Sequence, residues 1–259
     1  MSLMASIPDS AQGPTDENVS RRQLLTRTGL LAAGVTVAST ALDLHHAAGA
    51  VVSSTTIQTM IDALPPEGGI VQIPVGDYEG PRLQVRDGVI LQGQGWNTII
   101  PPFVQASTAR AGISLRDLAV DFTNVTVEVP PQHYALDWRY ISNGSVSNVR
   151  ISGGTHGLLV DFSARHNVFT GVIATASEVA VELFGAGDDQ PLGNTFVGGR
   201  FTAPTPLLLA GSGIANTIVG AGLEGSTFPG LAPEGGRYGD RLVSCYFVDP
   251  NGNIMVIGS

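Results

Sequence analysis

The sequence predicts an all-β fold: a single-stranded, right-handed parallel β-helix (a solenoid) with a capping helix at its N-terminal end. Three observations lead there. A short unit recurs, made of a turn-forming Asn or Asp, a few β-branched or aromatic residues and a Gly. A single amphipathic helix precedes these units, and no convincing helix follows. Only Pro250-Asn251-Gly252 looks like the two-residue hairpin turn that a sandwich or jelly roll would use repeatedly.

Composition narrows the function. Charged residues make up only 14% of the 259, and Gly reaches 33, a mix that suits many turns and short strands and not disorder. The net charge of −9 argues against a nucleic-acid partner. All 13 basic residues are Arg, so neither a Schiff-base lysine nor a P-loop lysine is available. With Cys245 as the one cysteine, an intramolecular disulfide and a thiolate cluster are excluded, and its neighbours Tyr246 and Phe247 suggest a small buried apolar residue.

Residues 1–50 read as a leader and residues 51–259 as the solenoid domain. Polar residues 1–20 are followed by Arg21-Arg22, a modest apolar run over 29–38 and a small-x-small site at Ala48-Gly49-Ala50. The paired arginines resemble a twin-arginine export signal, with Thr26 where that family often has Lys. The expectation is a protein located outside the cytoplasmic membrane, with no membrane span in the mature chain.

The domain begins with a helix over residues 55–64. Ile57, Met60, Ile61 and Leu64 share one face, Thr55 or Thr56 is the expected cap, and Pro65-Pro66 ends it. A strand over 68–74 and a turn at Gly76-Asp77-Tyr78 follow. The recurring units start at Asp87, Asp117, Asn148, Asn167, Asn194, Asn216 and Asp240. Alternation sends Phe169, Phe196, Ile218 and Leu242 into the bore, and stacked Asn residues are expected to form ladders. Length allows seven to nine coils. The C-terminal run 253–258 is apolar. It either folds back over the last rung or meets another subunit, a possible homo-oligomer.

Residues 56–64 (TIQTMIDAL), 68–78 (GGIVQIPVGDY) and 89–95 (VILQGQG) resemble the opening of the pectate-lyase-like superfamily. The resemblance implies a β-helix acting on a polysaccharide, and its lyase members imply calcium with an Arg acting on a uronate. Gly93 and Gly95 are no dinucleotide fingerprint, because no helix follows them.

In a packed solenoid any site lies on an outer face, where residues one coil apart become neighbours. Asp137 (ALDWRY), Asp161 (LLVDF) and Glu182 (AVELF) each interrupt an apolar strand, at intervals of 24 and 21. The pattern predicts a column of three outward acids with Arg139 and Arg165 nearby. Stacked carboxylates either hold a cation, with Asp161 and Glu182 as calcium ligands, or act as an acid/base pair on a glycosidic bond, or are a solvated face. His156 and His166 lie in turns beside the column, as a substrate contact and a proton carrier or as turn residues without a role. Trp96 is a candidate sugar platform. Trp138 and Tyr140 are expected to pack inward. Asp188-Asp189 offers a second loop for calcium or for solvent. Two functions remain open: a secreted polysaccharide lyase or glycoside hydrolase, and a non-catalytic β-helix for surface binding or assembly.

Overall fold

The structure is a computed structural model and describes residues 51–104, 109–121, 134–185, 189–211, 215–228, 230–231 and 239–258. The expected leader, and Asp188 of the second calcium loop, lie outside these residues. The described chain winds as a parallel β-solenoid of about six turns. Every strand pair among the described residues is parallel except the last, between Cys245–Val248 and Ile254–Ile257. The turn count is below the expected seven to nine, and circuit length varies from 20 residues between Gly69 and Val89 to 31 between Ser114 and Ser145.

Two facets matter for the site. One is a sixteen-stranded sheet. The other has five strands: Tyr134–Arg139, His156–Asp161, Val179–Gly185, Thr205–Gly211 and Gly230–Leu231. Between them lies the core. From the first sheet Val146, Phe169, Phe196, Ile218 and Leu242 stand in register, as the alternation predicted. The Phe169 and Phe196 rings stack 4.3 Å apart at 9°. From the second sheet come Leu136, Leu158, Val181 and Leu207, and beside them Trp138, Val160, Leu183 and Leu209. Trp138 meets the edge of Phe169 at 5.8 Å and ties the two sheets together. Tyr140 does not pack inward; it occupies a left-handed corner (φ 57°) and stacks on Phe162.

The capping helix, α1, spans Thr55–Asp62 and buries Ile57 and Ile61 over the first rung. Neither Thr55 nor Thr56 caps it. Ser54 holds the N-cap position without a side-chain cap bond, because its hydroxyl donates to Pro81 O instead. At the other end the Arg86 guanidinium donates to the carbonyls of Ile61, Leu64 and Pro65, adding a cation where the helix ends. Gly76–Glu79 is a strand and not a turn, paired with Val51–Ser53 and with Thr98–Ile99. Gly68 (φ 94°) must be glycine: a Cβ there would lie 2.3 Å from Gly88 O.

The recurring Asn and Asp mark two different corners. Asn167, Asn194, Asn216 and Asp240 form one ladder, with amide-to-oxygen steps of 2.9, 2.9 and 3.0 Å. Each Oδ1 also accepts the backbone N–H of the residue one rung below, and the three asparagines are fully buried. Asp117 and Asn148 form a separate pair at another corner, both with left-handed backbone (φ 53° and 51°). That explains why Asn167 follows Asn148 so closely in sequence: the two belong to successive corners of one circuit. Cys245 is buried, as expected. The run 253–258 folds back on the last rung. Among the described residues no helix is long and apolar enough to cross a membrane.

Candidate active site

The five-stranded sheet sends one set of alternate residues into the core. The other set carries Asp137 and Arg139, then Leu159 and Asp161, then Glu182. All three predicted acids therefore share the outer face, but they do not form one column. Asp137 stands in register with Leu159 and Glu182, while Asp161 pairs with Arg139. The physical reason is rung length. Asp137 to Leu159 is one circuit, so Asp161 lies two residues past the stacking position. A two-residue offset keeps the face and changes the row.

The carboxylates are also far less exposed than outward positions suggest: 6% for Asp137, 3% for Asp161 and 7% for Glu182. Side chains of Arg and His account for two of them. Arg139 binds Asp137 in a bidentate fork, Nε to Oδ1 at 2.7 Å and NH2 to Oδ2. His156 Nδ1 lies 2.7 Å from Glu182 Oε2, and its Nε2 lies 4.0 Å from Glu178. Asp161 has a weaker complement, accepting the Phe162 N–H at 2.6 Å. Phe162 and Ser163 both adopt left-handed backbone (φ 38° and 59°), which is uncommon for an aromatic residue and concentrates strain beside this carboxyl.

Burial pushes the Asp161 pKa up to about 7, with the Asp137 and Glu182 charges adding to it and the Phe162 N–H and Arg139 opposing it. Asp161 is thus poised to hold a proton near neutral pH. Burial lowers the Arg139 pKa, but the hydrogen bond and charge of Asp137 outweigh that and raise it overall. Burial also depresses Arg82, against the pull of Asp137.

Sequence reasoning missed Tyr134 and Arg82. Tyr134 meets His156 edge to face at 4.9 Å, and burial followed by the Glu182 charge pushes its phenol up to about 12. The signal was present: Tyr134 is in register with His156, the same one-circuit step that links Asp137 to Leu159. Arg82 comes from an earlier rung, beyond the reach of any local pattern.

The remaining expected residues fall elsewhere. Arg165 is exposed at the next corner, with its backbone bonded to Ile141 and Asn143. His166 sits beside it, against Gly193. Trp96 is half-exposed on the sixteen-stranded side, donating to Asn148 O at 3.0 Å. Asp189 accepts the Ser163 hydroxyl at 2.8 Å.

Among the described residues no three His, Cys, Asp or Glu side chains are grouped to hold a metal ion. Calcium takes about six to eight oxygens. Here Asp137 is occupied by Arg139, Glu182 by His156, and Asp161 lies off their row, so these donors do not assemble a calcium cage.

No family model matches the chain, and no curated protein matches it. It is similar in structure to ORF18 of Geobacillus virus E2, with TM-score 0.56 and 14% identity over 75% of this chain and 48% of that one. The chain thus spans about half the length of the viral protein. It is also similar to the A-module of mannuronan C-5 epimerase AlgE4 from Azotobacter vinelandii (TM-score 0.40, 18% identity, 75% of this chain and 72% of that one). A third is the catalytic unit of the thermostable GH87 α-1,3-glucanase from Streptomyces thermodiastaticus (TM-score 0.35, 16% identity, 80% and 49%). At these identities a likeness shows the fold alone.

Proposed function

We propose that this chain is a secreted polysaccharide-acting enzyme that cleaves a glycosidic bond by acid/base chemistry on the outer face of the five-stranded sheet. The observation that supports it is a buried carboxyl, Asp161, raised to about 7 and surrounded by two further carboxylates, one bonded to Arg139 and the other to His156. Asp161 in its protonated form gives its proton to the leaving glycosidic oxygen. Glu182, with His156 on its Oε2, takes a proton from the attacking water. Asp161 and Glu182 sit on neighbouring strands, two residues out of register. Strand spacing and rise put the Cα atoms of such positions about 8 Å apart, which leaves room between the two side chains for the water that an inverting glycoside hydrolase places there. Arg139 keeps Asp137 in place and tempers the Asp161 pKa.

Hydrolysis fits this site better than a calcium-dependent lyase reaction, because the carboxylates already have partners within the chain. Export through the twin-arginine signal belongs to the same proposal. The test is a panel of neutral and uronate polysaccharides, with calcium and with chelator, followed by reducing ends and by unsaturated-product absorbance. Reducing ends that persist in chelator, with inverted anomeric product, support hydrolysis. Unsaturated product that needs calcium overturns it in favour of a lyase. No product on any substrate favours a non-catalytic binding or assembly protein.

A further inference from the structure

The two ends of the solenoid are finished differently. At the start, α1 covers the first rung, with Ile57 and Ile61 each 1% exposed. At the other end the strand Ile254–Ile257 turns back along Cys245–Val248 and pairs, among the described strands, with that one alone. It covers the last rung without being covered: Ile254 is 70% exposed, Met255 55% and Val256 75%. Tyr246 and Phe228 extend the apolar patch, the latter edge-on to Phe247 at 5.4 Å. An uncharged apolar edge strand is what soluble proteins normally avoid, because its backbone donors and acceptors invite another strand.

We infer that this edge pairs with its counterpart in a second copy of the chain, antiparallel about a two-fold axis. Three features favour a second copy placed this way. First, a head-to-tail stack would need an open first rung, and α1 occupies that position. Second, two-fold pairing sets each residue against itself or a near neighbour, so any charge would face a like charge; residues 253–258 carry none. Third, the exposed ends are complementary. Antiparallel pairing brings the 249–253 turn of one copy to the residue-258 end of the other. That end rests on Leu242, next to exposed Arg241. The turn carries Asp249, whose carboxylate is held in place by Asn251 and Asn253. Acid thus meets base at both ends of the paired strands.

A patch built on one short strand is small beside the roughly 1,200–2,000 Å² of a standard interface, so association is expected in the micromolar range. The test is sedimentation velocity of the full 259-residue chain from about 1 to about 100 µM. A monomer–dimer equilibrium is expected, with hydrogen exchange at Ile254–Ile257 slowing as concentration rises. Val256→Lys is expected to weaken the dimer by at least roughly tenfold with an unchanged circular dichroism spectrum. Val75→Lys, an equally apolar exposed site elsewhere, is expected to leave it intact. If Val256→Lys misfolds, Met255→Lys together with the exchange data on the unaltered chain decides the matter. A monomer at all concentrations, a dimer indifferent to a folded Val256→Lys variant, or open-ended polymers would overturn the inference.

Discussion

The asparagine corner and the acidic face both bury polar side chains on successive rungs, yet they reach opposite electrostatic outcomes. At the corner each amide donates to the oxygen of the next rung and each oxygen also takes a backbone N–H, so Asn167, Asn194 and Asn216 are satisfied without any charge. An amide is complementary to its own copy one strand away, and repetition strengthens the ladder. A carboxylate repels its copy. On the acidic face the chain inserts Leu159 between Asp137 and Glu182, brings Arg139 and His156 onto those two acids, and leaves Asp161 to be relieved by a proton. The corner is built for stability. The face holds an unfavourable arrangement that a purely structural column would have replaced with amides or hydroxyls.

The sharpest way to break this comparison is to make the face resemble the corner. Asp161→Asn removes the transferable proton, so activity on the substrate found by the panel should fall by about 10²–10⁴-fold, measured as reducing ends released per unit time. Wild-type activity in that variant would remove Asp161 from the chemistry. Next in size is the converse loss at the corner. Asn194→Ala strips the acceptor from the Asn167 backbone N–H and side-chain amide and one donor from Asn216 Oδ1 in a dry interior, and should cost about 2–4 kcal/mol in urea unfolding; a cost within error would mean the ladder is incidental.

A third comparison uses pH. In the folded chain Asp161 titrates at about 7, against 3.8 for an unperturbed Asp. Between these values the folded state binds more protons than the unfolded one, so stability should fall as pH rises from about 4 to about 7 and then level off. Asp161→Asn should flatten that slope, raising the Tm at pH 8 and leaving it unchanged at pH 3.5. The opposite sign, stability rising over that window through this residue, would contradict the burial argument. The smallest effect concerns Arg139. Its charge holds the Asp161 pKa down, so Arg139→Gln should move the alkaline limb of the pH–rate profile upward. A downward movement would mean that the two groups do not interact.

The sequence made the solenoid legible because its strongest signals are local: an amphipathic helix, then turn residue, short strand and Gly. Phe169, Phe196 and Ile218 fell inward as alternation required. Circuit length was not legible. Asp117 and Asn148 belong to one corner and Asn167 to another, and reading them as a single series blurred the register. The same uncertainty turned three acids on one face into a column. Parity along a strand survives an error of two residues, so the face was right. Row position does not survive it, so Asp161 came out stacked with its fellow acids when it pairs with Arg139. Partners from distant rungs, such as Arg82 and the Arg86 cap on α1, leave no periodic trace at all.

The most direct measurement is a carboxyl carbon-13 NMR titration of the folded chain, with Asp161 assigned by its absence in Asp161→Asn. A midpoint at about 7 is what the buried cluster requires. A midpoint near 4, that of an ordinary solvated aspartate, would contradict it, and the acidic face would then be solvated surface with no proton to give.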